Sequence, residues 1–186
     1  MNGLYDAARE VQEFMQDRRW RFCIIGGLAV IRWGQPRATQ DVDISLLTGF
    51  GSEAQYIDEI LHIFAGRIPD ARDFAHTGRV VLASASNGVP LDIALAAFPF
   101  EEQVIDRASS FEFAPGISLV TASAEDLLVL KAFAGREQDW ADVEGIVTRQ
   151  QAHLDWDYVF AALGPLCEMK GETEPITRLE SLRSQK

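Results

Sequence analysis

The chain has 186 residues, room for one domain of ordinary size or a compact domain with a helical appendage. With 47% hydrophobic, 24% charged and 10% aromatic residues it can bury a core, which excludes intrinsic disorder as a description of the whole. The formal net charge of −11 excludes a uniformly basic nucleic-acid-binding surface, although six arginines against four acids leave residues 1–40 locally positive.

Residues 4–18 read as an amphipathic helix, with Leu4, Ala7, Ala8, Val11, Phe14 and Met15 on one face. Arg21 to Ile25 is a short apolar strand running into Gly26-Gly27. Leu28 to Trp33 suits a short helix that stops at Gly34, ahead of Pro36. Asp41 to Leu47 alternates as a strand, and Ser52 to Ala65 reads as a second amphipathic helix. Residues 79–85 and 89–95 are strand-like and flank Ser86-Asn87-Gly88; Asn and Gly both tolerate positive φ, so a hairpin is expected. Residues 98–108 read as helix and 109–120 as mixed, with a short strand. A helix over 124–134 starts at Ser123, with Asp126 three residues on, and stops at Gly135. Helices at 137–150 and about 155–163 follow, and the polar stretch 171–186 is expected to fray. The expected fold class is α+β (α/β): a small mixed β-sheet flanked by helices over residues 1–120. A helical C-terminal part, 121–186, packs on it in a single compact unit.

No apolar run approaches the ~18 residues of a membrane helix. The N-terminus lacks a basic region followed by an apolar one, so no leader and no membrane partner are expected. Two cysteines, Cys23 and Cys167, support neither a disulfide framework nor a structural zinc site, and the expected location is cytoplasmic.

Strand side chains alternate faces, so Val42, Ile44 and Leu46 point to the core while Asp41, Asp43 and Ser45 share the other face. Two carboxylates so close repel one another unless a cation compensates, and a hard divalent metal is the natural partner. Alone, the pair is equally the wet face of an edge strand. Asp92, flanked by Leu91 and Ile93, is a second acid in an apolar strand, where β-propensity disfavours it. If the two strands are neighbours, three carboxylates converge as ligands for one or two Mg²⁺ ions. Gly26-Gly27 at a strand-to-helix junction leaves backbone amides open to a phosphate, or is only a tight turn.

The ordered set resembles the nucleotidyltransferase fold of the DNA polymerase β superfamily. It consists of Ile24-Ile25-Gly26-Gly27, thirteen residues, Asp41 and Asp43 around Val42, then Leu91-Asp92-Ile93. More narrowly, Ile24 to Leu46, with Arg37-x-Thr39-x-Asp41-x-Asp43, and Ala124 to Ile146, with Lys131, resemble the AbiEii-like nucleotidyltransferases. The matches span residues 22–147. The resemblance implies that Gly26 and Gly27 hold the triphosphate. It implies that Asp41, Asp43 and Asp92 are catalytic and coordinate two Mg²⁺ (Mn²⁺ as a substitute), and that Asp92 helps deprotonate the acceptor. Lys131 would reach a phosphate, with Arg37 and Thr39 in the same nucleotide-binding pocket. Lys131 also reads as a snorkelling lysine on a core helix, and Asp139 and Asp142 as its structural partners or those of Arg136.

The implied reaction transfers an NMP from an NTP to a hydroxyl acceptor (RNA or tRNA, protein or small molecule) with release of pyrophosphate. The alternative is a non-catalytic or partner-acting toxin or antitoxin of a toxin–antitoxin or phage-defence pair. The arginines at 18, 19, 21, 32 and 37 are the local feature that favours an RNA acceptor. His62, His76 and His153 lack partners at ligand spacing, and Trp33, Trp140 and Trp156 fall at positions suited to a core.

Overall fold

The computed structural model describes residues 2–184, which form two compact units: residues 2–28 with 38–122, and residues 29–37 with 123–184. The first holds one seven-stranded sheet: β1 (Phe22–Ile24), β2 (Val42–Leu47), β3 (Ala65–Gly66), β4 (Val80–Ser84), β5 (Pro90–Ala96), β6 (Ser109–Ala114) and β7 (Ile117–Thr121). Their order is β3-β4-β5-β2-β1-β7-β6, and β2/β5 and β1/β7 are the parallel neighbours in a mixed sheet. This agrees with the expected class.

Four helices of the described residues belong wholly to this unit: α1 (Asn2–Asp17), α3 (Glu53–Ile63), α4 (Ala71–Gly78) and α5 (Pro99–Asp106). Helix α2 (Gly26–Trp33) begins here, and its residues from Ala29 onward belong to the second unit. The apolar stripe of α1 is buried from Ala7 to Met15, with Leu4 half-buried, and Gln12 beside it is also buried. Its amide donates to Ser118 O at 2.9 Å and accepts from Val120 N at 2.8 Å, which satisfies both ends and pins α1 to β7.

The loop between β4 and β5 forms as expected, with one difference. Gly88 takes a φ of 83°, whereas Asn87 works through its side chain, accepting from Val89 N and donating to Gly3 O. Residues 109–120 form a full hairpin around Gly116 rather than one short strand. Helix α4 buries only Ala75.

The second unit contains α6 (Ala124–Ala134), α7 (Glu137–Gln150), α8 (Trp156–Lys170) and α9 (Glu174–Ser184). Ser123 caps α6 by accepting from Asp126 N, and Gly135 ends it in the left-handed region. Arg149 and Gln150 donate to the carbonyls of Gly34 and Trp33, which the end of α2 leaves without intrahelical donors. Two expectations are corrected here. Helix α8 continues past 163 through Pro165 to Lys170, because Val159, Leu163 and Cys167 keep one face buried across the missing proline donor. Residues 174–184 do not fray but form α9, anchored by buried Pro175 and Leu179, with the Arg178 guanidinium 4.3 Å from the Trp140 ring centroid. Residues 185 and 186 of the stretch expected to fray lie outside the described residues. Among the described residues no helix is long and apolar enough to cross a membrane, and both cysteines are buried and unbridged.

Candidate active site

Strands β2 and β5 run parallel with Val42 opposite Leu91, Asp43 opposite Asp92 and Ile44 opposite Ile93. Val42, Ile44, Leu46, Leu91, Ile93 and Leu95 are all buried, each contributing about 1.5–3 kcal/mol of apolar transfer free energy. That burial fixes the register, because a one-residue slip would turn either strand's acids inward. Asp43 and Asp92 therefore share the opposite face, joined by Asp41 one residue ahead of β2. One carboxylate oxygen from each of Asp41, Asp43 and Asp92 lies within 4.8 Å of the other two, and all three residues are half-buried. Among the described residues it is the one cluster of three or more His, Cys, Asp or Glu side chains that could hold a metal ion. Ser45, expected on the same face, is buried.

The segments around the cluster are packed onto it. The Thr39 hydroxyl donates to Asp41 at 2.8 Å, and the Gly27 amide donates to Asp43 at 3.4 Å. Gly26 has a φ of 58°, and a Cβ built there would overlap the Asp43 carboxylate; one at Gly27 would overlap the Thr39 hydroxyl. The glycine pair is thus demanded by how closely the turn approaches Asp43 and Thr39.

A cation that sequence reasoning did not single out, Arg67, pairs its guanidinium with Asp92. Burial pushes the Asp92 carboxyl above its ordinary range, Arg67 pulls it back, and the charge of Asp41 pushes it up again. Arg67 lies in a stretch whose pairing depends on a two-residue strand, and no local pattern marks it.

In the second unit, Lys131 is buried and its ammonium lies 3.0 Å from Asp139 and 2.9 Å from Asp142. Arg37 holds both oxygens of Asp142 at 2.8 and 3.0 Å, and Arg136 holds both of Asp139 at 2.6 and 3.1 Å. The structural pairing considered for Asp139 and Asp142 is therefore present, and it includes Arg37. Burial alone would raise both carboxyls, but the hydrogen bonds from Arg136 and Lys131, and from Arg37 and Lys131, leave them below their ordinary range.

The sign follows. Carboxyls whose folded-state pKa is depressed stabilise the fold above about pH 4, their unfolded value. That contribution is lost as pH falls through the lower folded value. The urea midpoint should hold level from pH 8 to about 5 and fall below about 4, with a shallower acid slope in Asp139→Asn/Asp142→Asn. An identical slope in the double variant would contradict the assignment.

Of the N-terminal arginines, Arg18 pairs with Glu59, and Arg21 with Glu102 and Asp106, while Arg32 lies 4.0 Å from the Trp33 ring centroid. They are dispersed among acids and an aromatic ring, which weakens the feature that favoured an RNA acceptor.

A family model described as "Nucleotidyltransferase of unknown function (DUF6036)" matches residues 2–170. Among solved structures, the chain is similar to an antigenic nucleotidyltransferase-like protein from Paracoccidioides brasiliensis. That match has 16% identity and a TM-score of 0.54, covering 97% of this chain and 94% of that one. It is also similar to the antibiotic-resistance factor ANT(2'')-Ia, at 18% identity and a TM-score of 0.56, covering 98% and 97%. At these identities the likeness is one of fold. No curated protein matches the sequence.

Proposed function

The chain belongs to the DUF6036 family of nucleotidyltransferases, and from that premise we propose that it transfers an NMP from an NTP to a hydroxyl acceptor, releasing pyrophosphate. The observation that carries the reading is the convergence of Asp41, Asp43 and Asp92 on one face of the parallel β2/β5 pair. An ion that takes oxygens at about 2.1 Å separates opposite ligands by about 4.2 Å. A carboxylate set within 4.8 Å, built of hard oxygen donors, fits Mg²⁺ with small side-chain adjustments. Bound there, a divalent cation would stabilise negative charge developing on the attacking and leaving oxygens.

The chain's own groups do the rest. Asp41 and Asp43 supply fixed carboxylates, and Thr39 orients Asp41 through its hydroxyl. The Gly26-Gly27 turn at the start of α2 offers backbone amides to the phosphates. Asp92, whose proton affinity burial raises, accepts the proton of the acceptor hydroxyl. Residues 1–120 carry this chemistry, with 121–186 as the helical part. The phosphate roles that resemblance implies for Arg37 and Lys131 belong to the same proposal.

We place the reaction in the cytoplasm, where NTPs and Mg²⁺ are supplied. The acceptor is RNA, protein or a small molecule. The AbiEii-like resemblance extends the reading to a chain that works with a cognate toxin or antitoxin, and the intact acid triad favours an active transferase over an inactive partner.

Thermal unfolding with ATP, CTP, GTP or UTP, with and without Mg²⁺, tests the reading. Nucleotide at ~100 times its dissociation constant adds about 2.7 kcal/mol, which for a chain of this size is a rise of roughly 5–10 °C. A Mg²⁺-dependent rise, lost in Asp41→Asn/Asp43→Asn, is expected. No rise with any nucleotide would refute it.

A further inference from the structure

Arg67, Asp92 and Asp43 stand in one row of the sheet, with Asp41 just ahead of β2. Gly66 pairs with Ala83, and one residue on, the Arg67 amide donates to Leu82 O at 2.9 Å. Leu82 is opposite Asp92, and Asp92 is opposite Asp43. Residues in one row across a ladder present their side chains to the same face. An arginine stem can therefore lie across half-buried Leu82 and deliver its guanidinium to Asp92, the contact the structure shows. Asp41 and Asp43 crowd the same place with two further carboxylates, so the guanidinium sits where a cluster of like charges most needs a cation. Arg67 thus supplies from within the chain what the triad would otherwise draw from solution.

We propose that Arg67 is a competing internal cation: it occupies the Asp92 carboxylate in the ion-free chain and must be displaced before a divalent ion can bind Asp41, Asp43 and Asp92 together. The inference rests on the reading of the triad as a cation site. The guanidinium and a divalent ion draw on the same Asp92 carboxylate, so ion loading and the Arg67–Asp92 pair compete. If the pair is formed about nine-tenths of the time, the apparent ion affinity is reduced about tenfold. The arginine then sets the ion concentration at which the site becomes competent. Once released, it is a guanidinium on the β4 side of the triad, available to an anionic group bound there.

Titration calorimetry with MnCl₂ alone tests this on the wild type, Arg67→Ala, Arg67→Gln, Arg67→Lys and Asp43→Asn. The Arg67 pair is partly exposed and contributes little to the fold, so the variants should keep the wild-type circular dichroism; Gln stands in if Ala does not. Removing the guanidinium should tighten Mn²⁺ binding about tenfold, while Arg67→Lys stays near wild type. Equal or weaker binding by both Ala and Gln variants would overturn the proposal and make Arg67 an orienting partner of Asp92. That failure is distinguishable from failure of the functional reading. In the first case the wild type binds Mn²⁺ and Asp43→Asn does not. In the second no protein binds it at millimolar concentration, and both ideas fall.

Discussion

Asp43→Asn should reduce nucleotidyl transfer by about a hundred- to a thousandfold, the scale seen when a fixed group that stabilises transition-state charge is removed, while leaving the fold intact. Asp43 is central to the cluster. It lies opposite Asp92 in the β2/β5 ladder, it is approached by the Gly27 amide, and its carboxylate fills the space a Cβ at Gly26 would need. An amide in its place keeps the shape and gives up the charge. Because three carboxylates within 4.8 Å repel one another, neutralising one should leave the melting temperature of the ion-free protein unchanged or raise it by a few degrees. Lost transfer together with retained or increased stability is the signature of a site that holds a cation. Transfer of α-³²P label from NTP, set beside thermal unfolding of the same preparations, reads both. Near-wild-type transfer, or loss of transfer with loss of fold, would contradict the account.

Lys131→Met should cost about 3 kcal/mol, the lower end of what breaking a buried ion pair costs, and lower the melting temperature by roughly 6–12 °C. The methionine keeps an unbranched apolar stem in the lysine's place but leaves Asp139 and Asp142 buried without the ammonium that contacts both. Arg136 and Arg37 remain on the outer sides of the two carboxylates, which keeps the loss at the lower end. Adding Asp142→Asn to Lys131→Met should recover part of it by removing one uncompensated charge, a coupling that a double-mutant cycle measures. The same variant separates the two roles of Lys131. A stability loss reports the ion network, whereas a weakened nucleotide-dependent shift would report the phosphate role that resemblance implies. A change in melting temperature within about 2 °C would remove the network from the account.

What could be read from the chain follows from where the information lies. Asp41, Val42, Asp43 and Ile44 announce a two-faced strand because alternation is local, and Ser123 with Asp126, and Gly135, mark the ends of α6 for the same reason. The order of glycine pair, Asp-x-Asp and later Asp carried the fold class. The parallel pairing that sets Asp43 opposite Asp92 was conditional, because strand neighbours are chosen by tertiary packing. Arg67 was invisible, since it reaches Asp92 only through the row formed by β3, β4 and β5. The glycine pair was legible as a turn, but its reason was not: the space is taken by Asp43 and Thr39, twelve or more residues away in sequence. Helix α9 was missed because two anchoring residues, Pro175 and Leu179, hold an otherwise polar segment.

The most direct test of the central claim is anomalous diffraction from crystals soaked in Mn²⁺ with a non-hydrolysable NTP. The account predicts at least one manganese peak about 2.0–2.3 Å from carboxylate oxygens of Asp41, Asp43 and Asp92, with phosphate density beside Gly26 and Gly27. Manganese at other carboxylates with none at these three, or nucleotide bound elsewhere, would contradict it.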